Sequence, residues 1–182
     1  MPRIKPIDPT TATSTVAAQL EGTRKMLGST PNMFTTAANS PAALTAMNGF
    51  FGALSKGTLG ARVGERVAIA IAQQNHCEYC LSAHTALGTM HGVDAADLAN
   101  ARSGHSVEAK ADAAITLALA IVSTRGQVDD SVLSAARAAG LTEGEIVEVV
   151  AHVALNVFTN YLNNVALTAV DFPLVAIDAV TA

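Results

Sequence analysis

The sequence predicts an all-α protein, a helical bundle of about eight to nine helices. Three observations lead there. Apolar residues recur every three or four positions through most of the chain, and no stretch alternates convincingly as a strand would. Cap and stop residues punctuate that pattern at short intervals, so the joints between helices are short. Half of the 182 residues are apolar, enough for one core, and nothing demands a second domain.

Taken in order, residues 1–12 are rich in Pro and Thr and read as an arm that wraps a neighbour or stays loose. Ser14 to Leu27 supports a first helix on Val16 and Leu20, stopped by Gly28. Pro31 opens a short helix through Phe34. Ser40-Pro41 supplies an N-cap and an N1 proline for a helix carrying Leu44, Met47, Phe50, Phe51 and Leu54 on one face. Thr58 caps the next helix, which runs to about Asn75. Its stretch from Val67 to Ala72 is apolar all round, as in a helix buried on every side. A helix beginning near Cys77 ends near Gly88 or Gly92. Asp94 starts a short helix, Val107 to Thr124 a longer one, and Asp130 to Ala139 another, closed by Gly140. Thr142-Glu-Gly-Glu145 is a capping box opening the last long helix, to about Ala169. At one fixed offset, Gly64-Glu65 with Ala86-Leu87 matches Gly144-Glu145 with Ala166-Leu167, a weak sign that a helix pair was duplicated.

Charged residues make up only 14 % of the chain. So few charges imply more hidden surface than one subunit can provide, hence a homo-oligomer. A net charge of −4 without a Lys/Arg cluster argues against nucleic acid or membrane as partner. The N-terminus shows no apolar signal region. No apolar run reaches membrane-spanning length: Ala113 to Val122 is too short, and Asp171, Pro173 and Asp178 interrupt the tail. A soluble, cytoplasmic protein is expected.

The chemistry is concentrated in His76 to His84, His-Cys-Glu-Tyr-Cys-Leu-Ser-Ala-His, which holds both cysteines. On a helix beginning near Cys77, residues Cys77, Cys80 and His84 share one face. Unpaired N–H groups at a helix start favour thiolate there. Two cysteines at this spacing read as redox or metal chemistry. Two buried small residues are the plainer alternative. A zinc site would need Cys77, Cys80 and His84 with one of His76, His91 or His152, but there is no second C-x-x-C and no knuckle turn. Leu81 after Cys80 excludes haem attachment, and no βαβ pattern suggests a thioredoxin fold. A redox dithiol is the favoured reading, with no cofactor or metal.

Glu65 lies among Ala61, Ala68, Ile69 and Ala72 on an apolar helix face. If its helix and the cysteine helix form a hairpin jointed near residue 76, the depths of Glu65 and His84 differ by only ~5 Å, at ~1.5 Å per residue. A buried carboxylate accepts a proton near neutral pH, so Glu65 and His84, with water, form a relay that deprotonates a cysteine. The alternative is a solvated Glu65 paired with Arg62.

Glu65, Cys77-x-x-Cys80 and His84 at these spacings resemble the signature of AhpD-like alkylhydroperoxidases in the carboxymuconolactone decarboxylase superfamily. The flanks agree: Arg62-Val-Gly-Glu65-Arg-Val-Ala-Ile, Cys-Glu-Tyr-Cys-Leu-Ser-Ala-His-Thr, and later Glu145-Ile-Val-Glu-Val-Val-Ala-His152-Val-Ala-Leu-Asn156. The resemblance covers most of residues 40–170 and implies one all-helical domain over 1–182, assembled as trimers or hexamers. It implies reduction of hydroperoxides through a cysteine disulfide cycle, recharged by an external dithiol or disulfide reductase. Position by position, Cys80 matches the peroxidatic cysteine, Cys77 its resolving partner, and Glu65 and His84 the proton relay. Helix-end physics alone favours Cys77 as the more acidic thiol. One departure lies between the cysteines, where the best-studied branch has a second histidine and this chain has Tyr79. Relatives that decarboxylate a muconolactone lack the cysteine pair, so that activity is not implied. Rival readings are a non-catalytic redox-sensing dithiol and a zinc-binding structural protein.

Asn156, Asn160, Asn163 and Asn164, with His152, form a polar stripe on the last helix, read as an inter-subunit seam in preference to a pocket beside the dithiol. His76 reads as a surface residue at the helix joint, and His91 and His105 as loop residues.

Overall fold

The computed structural model describes residues 1–177; Asp178, one of the residues expected to interrupt the C-terminal tail, lies outside them. Among the described residues there are nine helices: α1 (Ser14–Leu27), α2 (Asn32–Ala37), α3 (Pro41–Leu54), α4 (Ala61–Gln74), α5 (Glu78–Met90), α6 (Ala95–Arg102), α7 (Ala109–Thr124), α8 (Asp130–Ala138) and α9 (Glu143–Ala166). The all-α expectation holds. No described helix is long and apolar enough to cross a membrane.

α4 is the axis. Val67 through Ala72 are buried on every side, because α5, α6, α7 and α9 all pack against this helix. α4 and α5 form a hairpin whose joint is Asn75, His76 and Cys77. His76 takes the left-handed position (φ 53°) that closes α4, with its N–H donated to Gln73 O and the Cys77 N–H to Ala72 O. α5 runs through Gly88 to Met90, and close approach of α6 accounts for the glycine: a Cβ there would come within 2.6 Å of the Leu98 side chain. The fixed-offset match does not persist as a helix pair, since the second segment falls within the single continuous α9.

Three expectations are corrected. Thr58 does not cap α4. Its N–H and hydroxyl, and the Leu59 N–H, are donated to the Glu148 carboxylate of α9, so residues 57–60 stay a loop and α4 starts after Gly60. Val107 is likewise outside α7, because its N–H is donated to Asp97 Oδ1 and the helix begins at Ala109. α9 ends at Ala166, with Leu167 left-handed. The arm is tied to its own chain rather than loose. The Arg3 N–H caps the Ala166 carbonyl at 2.7 Å, and the Ile7 N–H is donated to Thr35 O, which answers acceptors that helix ends leave open.

Arg66, beside Glu65 on α4, is wholly buried. Its guanidinium contacts Asp97 at 2.6 Å, Glu108 at 2.8 Å and the Ser106 hydroxyl at 2.9 Å, tying α4 to α6 and to the loop before α7.

Candidate active site

The α4–α5 hairpin carries all four residues singled out in the sequence. Glu65 lies one turn into α4, Cys77 is the N-cap of α5, Cys80 lies in its first turn and His84 one turn further. Cys77 and Cys80 are joined as a disulfide, with Cα atoms 5.3 Å apart, and both are buried. The Cys77 sulfur accepts the Cys80 backbone N–H at 3.2 Å, as an N-cap oxygen does in other helices. The Cys80 sulfur accepts a different donor, the Asn163 amide of α9, at 3.3 Å. Among the described residues, no group of three or more His, Cys, Asp and Glu is arranged to hold a metal ion.

Glu65 and His84 meet across the hairpin, His84 Nδ1 to Glu65 Oε2 at 2.8 Å, each side chain 15 % exposed. Their contact therefore lies at the edge of the core, where protons can exchange with solvent. Arg62 turns instead to Glu108 at 3.1 Å. Two further histidines border the carboxylate. His91, at the C-cap of α5, places Nε2 4.0 Å from Glu65 Oε1. The His152 ring of α9 lies over Gly64, where a Cβ would come 2.9 Å from its Cε1. Burial pushes His152 below the ordinary histidine value, against the pull of Glu65 and Glu148, so this imidazole is neutral at pH 7.

The asparagine stripe faces its own hairpin, not a second subunit. Asn75, at the joint, donates its amide to Asn160 Oδ1 at 3.0 Å, and Asn164 donates to the Asn75 carbonyl at 2.9 Å. Asn163 lies between these two contacts and reaches Cys80. Asn156 donates back to the His152 carbonyl.

Tyr79, between the cysteines, serves packing. Its hydroxyl accepts the Met33 N–H at 3.2 Å, and its ring stands edge-on to Phe172. Burial pushes its phenol far above the ordinary value. Ser82, next along that face, accepts the Val175 N–H, so the segment after α9 clips the flank of α5.

Sequence reasoning gave Gly64 no packing role, read His91 as a loop residue, and placed Asn163 and His152 in an inter-subunit seam rather than beside the hairpin. Only Gly64 carried a local signal: a glycine inside a helix, where it costs about 1 kcal/mol relative to Ala, has a packing reason.

Fold and site together define a class: an all-helical protein that holds a two-cysteine disulfide beside a carboxylate–imidazole pair. Residues 41–124 match the carboxymuconolactone decarboxylase family. A similar solved structure is the alkylhydroperoxidase AhpD core of an uncharacterized peroxidase-related protein from Ralstonia eutropha JMP134, at 19 % identity and TM-score 0.85, covering 93 % of this chain and 92 % of that one. Another, an uncharacterized peroxidase-related protein from Silicibacter sp. TM1040, is 17 % identical with TM-score 0.79 over 92 % of this chain and 89 % of the other. The debrominase Bmp8 is 19 % identical with TM-score 0.79, covering 93 % and 92 %, and is also known as a cysteine-to-alanine variant in complex with 2,3,4-tribromopyrrole. No curated protein matches the chain. The chain has the all-helical fold of the AhpD core, and the family match lies within that fold, from α3 to α7.

Proposed function

We propose that this chain is a thiol-dependent peroxidase that reduces alkyl hydroperoxides through a Cys77/Cys80 dithiol–disulfide cycle. The observation that carries the reading is the disulfide and the 2.8 Å Glu65–His84 contact sharing one hairpin. In the cycle, the Cys80 thiolate attacks the terminal peroxide oxygen and becomes a sulfenic acid. The departing alkoxide takes a proton from the His84–Glu65 relay and leaves as an alcohol. Cys77, deprotonated, then displaces hydroxide from Cys80, which is released as water as the disulfide forms. An external dithiol reduces the disulfide by exchange and restores both thiols. A reducing, cytoplasmic compartment suits such a cycle. The partners are thus a hydroperoxide, a dithiol donor and, through the outer face of α9, further copies of the chain.

The test is peroxide consumption with excess small dithiol. Turnover is expected in the wild type and lost in both Cys80→Ser and Cys77→Ser, with a trappable sulfenic acid only in Cys77→Ser. Absence of turnover with cumene hydroperoxide and hydrogen peroxide, while the dithiol still oxidises, would replace this reading with a non-catalytic redox sensor.

The fold shared with Bmp8 favours a second electrophile for the same assay. A bromopyrrole-type substrate would give its bromine to Cys80 and take a proton from the relay at the vacated carbon. Cys77 would then expel bromide as the disulfide forms. Bromide release without peroxide turnover would select this substrate class.

A further inference from the structure

We propose that Asn163 is a catalytic residue of this dithiol: its amide N–H holds the Cys80 sulfur as the attacking thiolate and so selects Cys80 over Cys77. The inference rests on the dithiol reading above, because it assigns the attacking sulfur within that cycle.

The two sulfurs have unequal donors. Cys77, at the N-cap, receives the backbone N–H of Cys80, and the helix start by itself favours thiolate there. Cys80 lies within the first turn of α5, and its sulfur receives a side-chain donor from a different helix, Asn163 Nδ2 at 3.3 Å. An N–H donated to an anionic sulfur in a buried setting is a charge-assisted bond, about twice as strong as its neutral counterpart. This bond offsets the advantage that helix-end position gives Cys77.

Asn163 is held for this contact. It is buried, as is Asn160. The Asn160 and Asn164 contacts to Asn75 lock α9 to the hairpin joint on both sides of it. The row also keeps unused hydrogen-bonding capacity beside the sulfur: Asn163 Oδ1 and Asn160 Nδ2 are buried without partners. The titratable groups of the site are Cys77 at the N-cap of α5, Tyr79 and His84 on α5, His91 at its C-cap, Glu65 on α4 and His152 on α9. None of them reproduces an N–H donated to Cys80 from α9.

The experiment titrates Cys80 alone, in the Cys77→Ser background, by thiolate absorbance and by the pH dependence of iodoacetamide alkylation. It adds Asn163→Leu or Asn163→Asp, which keep the size and remove the donor. The expected result is a Cys80 pKa raised by about one unit in Asn163→Leu and by more in Asn163→Asp, whose carboxylate repels the thiolate. Alkylation at pH 7 should fall about tenfold. Melting temperature is followed in parallel, and the comparison is made on the variants that stay folded. An unchanged Cys80 titration in either folded variant overturns the proposal, whatever happens to stability. Because alkylation needs no peroxide, failure of the peroxidase reading and failure of this assignment are read separately.

Discussion

At the scale of single residues, Gly64 sets how close His152 comes to Glu65. Alanine in a helix interior ordinarily gains about 1 kcal/mol over glycine. Here the added methyl would stand 2.9 Å from the far end of the His152 ring, which can swing outward. Gly64→Ala is therefore expected to leave stability within about 1 kcal/mol of wild type. Burial is what lowers His152, so a displaced ring should titrate closer to the ordinary histidine value. NMR titration of the imidazole resonances reads this directly, and an unmoved His152 would show that the ring is not displaced. The same contact marks how far the sequence could be read at this scale. Glu65, Cys77, Cys80 and His84 were legible because they belong to two consecutive helices, where spacing alone relates them. His152 and Asn163 reach the hairpin from α9, and nothing in local spacing says which face of a distant helix will meet it.

At the scale of elements, the buried Arg66 clamp holds the hairpin against α6. Burial alone would raise the Asp97 carboxyl, but the Val107 N–H, the Ser106 hydroxyl and Arg66 hold it below its ordinary value. A carboxyl lowered on folding contributes stability that is whole above its unfolded value, near pH 4, and is lost as pH falls through the folded value. Asp97→Asn leaves part of the Arg66 charge buried without its partner and should cost about 3 kcal/mol. Urea unfolding at pH 7 measures that loss, and the variant should lose less further stability than wild type when both are taken to pH 3. Equal stability of variant and wild type at pH 7 would remove the clamp as a structural element. The corrected helix starts have the same origin as this clamp. Ser40, Asp94 and Thr142 cap their helices through their own side chains, so those boundaries were readable. Near Thr58 and Val107 the backbone N–H groups go to Glu148 and Asp97, carboxylates from other helices, and no local signal announces them.

At the scale of the whole molecule, one face of α9 is unlike the rest of the surface. Val147, Val150, Phe158, Tyr161 and Val165 are 39–66 % exposed and recur at helical spacing along one side, with Ala154 between them. From Val149 to Ala166 the helix carries no Asp, Glu, Lys or Arg. The stripe offers a few hundred Å² of apolar surface, on the order of the apolar share that one partner contributes to a standard interface. This is the face on which the proposed self-association rests. The wild type should sediment as an oligomer, and Val150→Lys with Tyr161→Lys should reduce it to a monomer without unfolding it. A wild type that sediments as a monomer at micromolar concentration would end that proposal. The paucity of charge was visible in the composition, whereas the location of the uncharged face depended on knowing which side of α9 meets α4.

The joint between α4 and α5 has a mechanical consequence. Three residues make the turn, the Cys77 N–H is tied back to Ala72, and Asn75 is gripped by two asparagines of α9. A joint anchored at so many points cannot lend the cysteines any backbone travel. In the proposed cycle, opening and closing the sulfur–sulfur bond would fall to side-chain rotation, a stroke of torsion angles alone.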